Sequence, residues 1–177
     1  RIGLTEEIID ENGAKFFKKT LHRPLLEPPF PSYFEDEISL MNTLQHPCLV
    51  KPVISAFDEE KGYTFTTEAI ENVTLEDLLN GSNDKLFNLN NKMIIIMSIV
   101  HTMAYLHRNG ILHGNLHTRN VIIDQKCFTR IVDYGLNTFV SKSPAQIDAE
   151  NGRATPYMSN EIVKGQNFNE SIDVYAF

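Results

Sequence analysis

The chain has no tryptophan, only two cysteines in 177 residues, and fewer basic than acidic side chains, 16 against 23. Each shortage narrows the options. Cys48 and Cys127 lie far apart, each among apolar neighbours, so they make no disulfide framework and read as reduced core thiols of a reducing, cytoplasmic compartment. A net charge of −7 argues against nucleic acid or a membrane surface as the partner. The longest apolar run, Met93 to Val100, falls well short of the roughly 20 residues that a spanning helix needs. No signal peptide or lipidation motif is visible. Glycine is sparse at the start of the chain, where Gly3 and Gly13 are far apart. What remains is ordinary for a soluble globular protein, 42% hydrophobic and 22% charged, with length enough to bury one sizeable core. The chain opens on Arg1 and stops at Ala176-Phe177 without a helix-ending signal, so both ends read as cut.

The patterning predicts mixed α and β structure. Arg1 to Leu21 reads as a hairpin turning at Glu11-Asn12-Gly13, an Asn-Gly type turn. Three prolines between Leu25 and Pro31, with Pro24 just before them, make a linker. Tyr33 to Gln45 reads as a helix, with Phe34, Ile38 and Met41 on one stripe and Glu37, Met41 and Leu44 on another. An inward carboxylate at Glu37 would need a cation. Leu49 to Phe57 and Tyr63 to Ile70 read as strands joined by a polar turn at Asp58 to Gly62. Thr74 to Leu79 is a short helix whose Glu76 and Asp77 suit its N-terminal dipole. Leu89 to Arg108 is the strongest helix, with Asn90 as cap and Met93, Ile96, Met97, Val100, Met103, Ala104 and Leu106 as its apolar face.

The densest polar chemistry lies between Ile111 and Gly135. Val121-Ile122-Ile123 and Ile131-Val132 read as the two strands of a small hairpin turning at Asp124-Gln125-Lys126. A loop rich in His, Asn and Arg precedes it, and Asp133 and Gly135 follow. Polar side chains at the ends of such a hairpin converge on one place, where a cofactor or metal could sit. The residues from Gly135 to Gly152 lack periodicity and read as an exposed loop.

In this order and spacing the motifs resemble those of eukaryotic protein kinases. The family's catalytic loop, His-Arg-Asp-x-x-x-x-Asn, appears as His113-Gly114-Asn115 with Asn120, and its Asp-Phe-Gly turn as Asp133-Tyr134-Gly135. Thr67-Glu68-Ala69-Ile70 resembles the hinge, Glu37 followed by His46-Pro47 the C-helix, Tyr157-Met158-Ser159-Asn160-Glu161 the Tyr-Met-Ala-Pro-Glu segment, and Ser171 to Phe177 the start of the F-helix. The resemblance implies an α+β, two-lobed protein-kinase fold truncated at the start of the F-helix. Residues 1–70 would form the β-rich N-lobe and hinge, with the C-helix at about 33–45. Residues 71–177 would form the first half of the α-rich C-lobe, with a catalytic loop at 113–120, a metal-binding turn at 133–135 and an activation segment at 133–161.

The same resemblance implies roles. Lys18 or Lys19, with Lys18 preferred, would hold nucleotide phosphates and pair with Glu37. The residue two before it, Phe16 or Phe17 respectively, would replace the small alanine that roofs the adenine. Thr67 would be the gatekeeper, Ala69 and Ile70 would offer backbone groups to a base, and Ile122 would join them around the nucleotide. Asp133 and Asn120 would hold Mg²⁺, and Asp173 would anchor the backbone of the catalytic loop. Other positions depart from the pattern. Asn115 stands at the catalytic base, Gly114 replaces the arginine, and His117 replaces a lysine that neutralises the transferred phosphate. Gly3 is the lone glycine in Ile2 to Glu7, and Glu6 and Glu7 sit where backbone amides should cradle phosphate. These departures imply a pseudokinase that holds ATP and Mg²⁺ weakly or not at all and acts by binding a protein, such as a kinase or another signalling protein. The alternative is a divergent ATP-dependent Ser/Thr kinase with residual activity.

Overall fold

The computed structural model describes residues 3–21, 38–58, 62–70, 72–81, 88–124, 126–135, 156–164, 166–167 and 169–177. The first element is an antiparallel hairpin of β1 (Gly3–Ile9) and β2 (Lys15–Leu21). Asp10 makes its turn: the carboxylate accepts the N–H of Asn12 at 2.9 Å and of Ala14 at 2.7 Å, and Gly13 supplies the positive φ. On its other side β2 pairs with β4 (Gly62–Glu68), which pairs with β3 (Pro52–Asp58), so the sheet runs β1-β2-β4-β3. Leu4 to Ile9 are exposed, as befits an edge strand, whereas Tyr63 and Phe65 of β4 are buried. Residues 38–43 are helical (α1) and bury Ile38 and Met41.

A second sheet, β5 (Val73–Thr74), β6 (Val121–Ile123) and β7 (Thr129–Ile131), is formed farther along the chain. It is short but deeply buried, with Ile123 and Ile131 sealed from solvent. Leu49 bridges to Ile131 in parallel, tying the segment after α1 to this sheet. The helix α2 (Leu75–Leu79) is closed by a capping box: Thr74 accepts the Asp77 N–H while the Asp77 carboxylate accepts the Thr74 N–H. Helix α3 (Leu89–Arg108) backs the second sheet, and the described residues end in α4 (Asn160–Val163) and α5 (Ser171–Ala176). One buried cluster runs from Met41 and Phe65 through Leu106 and Ile111 to Tyr134.

The expected hairpins and helices are present, with four shifts. The two strands of the β3–β4 pair run 52–58 and 62–68 rather than 49–57 and 63–70. The cap of α3 is Asn88, whose side chain accepts the Asn91 N–H, and not Asn90. The buried face of α3 is Ile95, Ile99, Thr102, Met103 and Leu106, while Met93, Ile96, Met97 and Val100 are exposed. An apolar run covers every side of the helix there, so spacing could not choose the face. The turn of the β6–β7 hairpin is wider than three residues: Asp124 accepts the N–H groups of Lys126 and Phe128, both at 2.8 Å. The predicted linker, residues 33–37 of the predicted helix including Glu37, and most of the predicted loop to Gly152 lie outside the described residues.

Candidate functional site

The site is built from the loop up. Helix α3 stops at Asn109-Gly110, where Gly110 takes a positive φ and the Ile111 N–H returns to the Leu106 carbonyl. The chain then passes through the buried His113 and Gly114, and a carboxylate holds it there. Asp173 of α5, only 2% exposed, accepts the backbone N–H of His113 at 2.8 Å and of Gly114 at 2.7 Å. His107 Nε2 lies 2.9 Å from the same carboxylate. A buried acid with three partners costs little to keep charged, and this is the anchoring expected of Asp173. Gly114 adopts φ +66°, a value an arginine would adopt only under strain.

Asn115 follows, half-buried, its N–H 3.3 Å from His113 Nδ1. Its carbonyl accepts the side-chain amide N–H of Asn120 at 2.9 Å, which leaves the Asn120 amide oxygen for another partner. His117 caps the 3-10 turn Thr118–Asn120 by accepting the Arg119 N–H at Nδ1, 3.1 Å away. That bond puts the proton of the neutral ring on Nε2. Burial lowers the pKa of His117, against the pull of Asp133. Burial also lowers that of His113, which is wholly enclosed, with Nε2 lacking a partner among the described residues.

The Asn120 carbonyl takes the Val132 N–H at 3.1 Å and so delivers the chain to Asp133. Asp133 is one of two non-glycine residues with positive φ among the described residues, at +61°. Such strain is characteristic of functional turns. Gly135 at φ +71° closes the turn, its N–H on the Leu112 carbonyl. Tyr134 between them is buried, and its hydroxyl has no partner among the described residues.

From the first sheet comes the cation. Lys19 Nζ forms an ion pair with the Asp133 carboxylate, with side chains 13% and 20% exposed respectively. The ammonium also stands 6.0 Å from the centre of the Phe65 ring. This corrects the preference for Lys18, which lies on the opposite face of β2 because side chains alternate along a strand. The correction carries Phe16 with it: Phe17, not Phe16, shares a face with Lys19. In the register Phe17 is opposite Thr67 and Lys19 opposite Phe65, so a phenyl ring and the expected gatekeeper are neighbours.

The hinge expectation needs a similar adjustment. The Ala69 N–H is used by the Lys15 carbonyl at 3.0 Å, extending the ladder, and the Ile70 carbonyl accepts the Asn72 N–H. The Ala69 N–H is thus already engaged, and the expectation of backbone groups from Ala69 and Ile70 rests on their other atoms. Ile122 is half-buried in the middle of β6, on the face opposite Val121 and Ile123. Glu6 and Glu7 are strand residues, opposite Lys18 and Phe17. Their backbone follows β1 rather than a phosphate-cradling loop, so the two acids say nothing about phosphate.

One feature escaped the sequence. Arg119 forms a two-pronged ion pair with Glu76 of α2, 43 residues away, including Nη2 to Oε1 at 3.1 Å. It raises the pKa of Arg119. No local pattern links the two positions.

Among the described residues no group of three His, Cys, Asp or Glu could enclose a metal ion. The expected donors, the Asp133 carboxylate and the Asn120 amide oxygen, are oxygens. They fit Mg²⁺ held jointly with phosphate, which takes only one or two protein ligands.

Residues 4–177 match the family model of the protein kinase domain. The chain belongs to the protein kinase family. This kinase domain is 28% identical over 144 residues to a probable serine/threonine-protein kinase of Dictyostelium discoideum, covering 81% of the chain and 15% of that protein. It is 25% identical over 160 residues to a protein kinase and PP2C-like domain-containing protein of Arabidopsis thaliana, covering 81% of the chain and 24% of that protein. A serine/threonine/tyrosine-protein kinase of Arabidopsis thaliana is 23% identical over 166 residues, or 93% of the chain and 42% of its own length. The chain thus spans less than half the length of each of these relatives. The α+β kinase fold is common ground. Among the described residues no helix is long and apolar enough to cross a membrane.

Proposed function

We propose that this kinase domain is a pseudokinase: a binding or regulatory module with weak or no phosphotransfer. The observation that carries the reading is Asn115. The loop around it keeps its hydrogen-bonded frame, from Asp173 to His113 and Gly114 and from Asn120 back to Asn115. The loss is therefore one of side-chain chemistry. An amide cannot take up a proton as a carboxylate does. General-base catalysis is worth roughly 10²- to 10⁴-fold, or about 3–5 kcal/mol of barrier. His117 adds to the deficit. Its lowered pKa favours the neutral ring, and protonation at Nδ1 would break its bond to the Arg119 N–H. Phe17 on the Lys19 face offers a ring where the family has a small alanine, and it would compete with an adenine for the same space.

The cofactors of such a domain are ATP and Mg²⁺ at reduced affinity, with Asp133 and Asn120 as the metal's protein ligands. Bound Mg²⁺ would supply charge neutralisation on the phosphates. A protein partner and a cytoplasmic setting follow from the reading, and the two buried, unpaired thiols suit a reducing compartment. Thermal-shift titration with Mg·ATP tests it. No shift or a small one is expected, and a shift of the size that saturating ligand produces would overturn the weakened pocket. The second reading, a divergent Ser/Thr kinase, is favoured by the meeting of Lys19 and Asp133. Turnover of labelled ATP that disappears in Asp133→Ala would establish it.

A further inference from the structure

We propose that His46 is a pH-sensitive latch on the joint between α1 and the buried sheet: the neutral ring closes the segment 45–50, and protonation releases it. The segment is bonded on both sides. The Gln45 N–H donates to the Tyr105 hydroxyl of α3 at 2.8 Å. The Cys48 carbonyl accepts the Ile131 N–H of β7 at 2.7 Å, and the Ile131 carbonyl accepts the Val50 N–H at 3.1 Å. His46 stands at the corner between them. Its Nδ1 accepts the Cys48 N–H at 3.2 Å. Its ring lies against that of Tyr105, with 5.1 Å between centres.

An imidazole that accepts at Nδ1 carries its neutral proton on Nε2. A second proton can go only to Nδ1, where it breaks the bond to Cys48. It also places a charge near His101, which lies one turn before Tyr105 on α3 and lines the same groove as His46, Cys48 and Met97. The titratable groups around His46 are therefore His101 and Tyr105 on α3 and Cys48 on its own segment, and Ile131 of β7 brings none. Burial, and then His101, lower the pKa of His46 from its ordinary 6.5. The closed segment thus binds fewer protons than the open one. Closure is fully present above about pH 6.5 and weakens as pH falls below it. The loosening reaches the candidate site, because Ile131 is two residues before Asp133. The inference does not depend on the pseudokinase reading.

The experiment is amide hydrogen exchange of the full chain, read by NMR at stepped pH, with each rate divided by the intrinsic rate at that pH. The amide of Leu106, fully buried in α3, is the reference for global opening, so the acid effect of His113 cancels. Between about pH 7 and pH 5 the protection of Cys48 relative to Leu106 should fall several-fold, and that of Ile131 should follow it. His46→Asn keeps a side-chain acceptor for the N–H two residues on but does not titrate, so it should flatten the fall. His101→Gln, at an exposed position of α3, removes the like charge. It should bring His46 closer to its ordinary value and make the fall shallower. A constant ratio in the parent overturns the proposal. So does an undiminished fall in His46→Asn, or a fall of unchanged depth in His101→Gln.

Discussion

The two hairpins that meet at the site are built on opposite principles. The β1–β2 hairpin has seven-residue strands and an Asp10–Gly13 turn that its own residues complete, yet most of β1 is exposed. The β6–β7 hairpin has three-residue strands, too short to stand alone, and buries four of its six strand residues. The first is specified locally and contributes one cation, Lys19. The second is specified by what surrounds it and contributes Asn120 and Asp133. Departures from the family pattern follow this division. Around the buried hairpin the frame of hydrogen bonds is continuous, and the pseudokinase proposal rests on the side chains that it holds. On the exposed one the frame is ordinary and the change is a large ring, Phe17.

Substitutions can break that contrast. Asp173→Ala should have the largest effect. It removes the acceptor of two buried loop N–H groups and strands His107, and should cost about 3 kcal/mol or more, read as a large drop in the thermal midpoint. Ile9→Ala on the exposed hairpin, where Ile9 is 64% exposed, should stay within about 0.5 kcal/mol. Similar losses for the two would erase the difference between the hairpins.

Tyr134→Phe acts in the other direction. The buried hydroxyl has no partner among the described residues, and burial raises its pKa. Such a group costs about 1–3 kcal/mol, so its removal should raise the midpoint. A lower midpoint would mean that the hydroxyl is bonded and that the frame around Asp133 holds one more strut.

Acid should weaken the buried side first. The pKa of His113 in the fold lies below its ordinary value of 6.5. Between the two values the unfolded chain binds more protons, so stability is fully present above about pH 6.5 and declines as pH falls below it. Chemical denaturation at stepped pH should show that slope, and His113→Phe should reduce it. Glu76→Ala should also have a small effect. Its ion pair with the exposed Arg119 is screened by solvent, so its loss should barely move the midpoint in the same denaturation series. A larger cost would mean that α2 is part of the loop's frame.

Most of the fold was legible in the residues, because it is written in short-range terms. The Asn-Gly turn, the acidic first turn of α2, the apolar run of β6 and the length of α3 are properties of neighbours in the chain. Much of the site was legible for the same reason: Asn115, Asn120 and Asp133 lie in one continuous stretch. What failed needed an orientation. The face of α3 could not be read from a run apolar at all but Ser98, and the choice between Lys18 and Lys19 could not be read from two adjacent identical side chains.

The sequence by itself determined the element types, the order of the motifs and the absence of a carboxylate at Asn115, since these depend only on residue identity and spacing. Only the tertiary structure decided that Lys19 meets Asp133, that Phe17 therefore shares its face, that Glu6 and Glu7 belong to a strand, and that Arg119 pairs with Glu76. Each of those facts joins residues far apart in the chain. Strand register and loop path set such distances, and one step of register along β2 exchanges one lysine and one phenylalanine for the other.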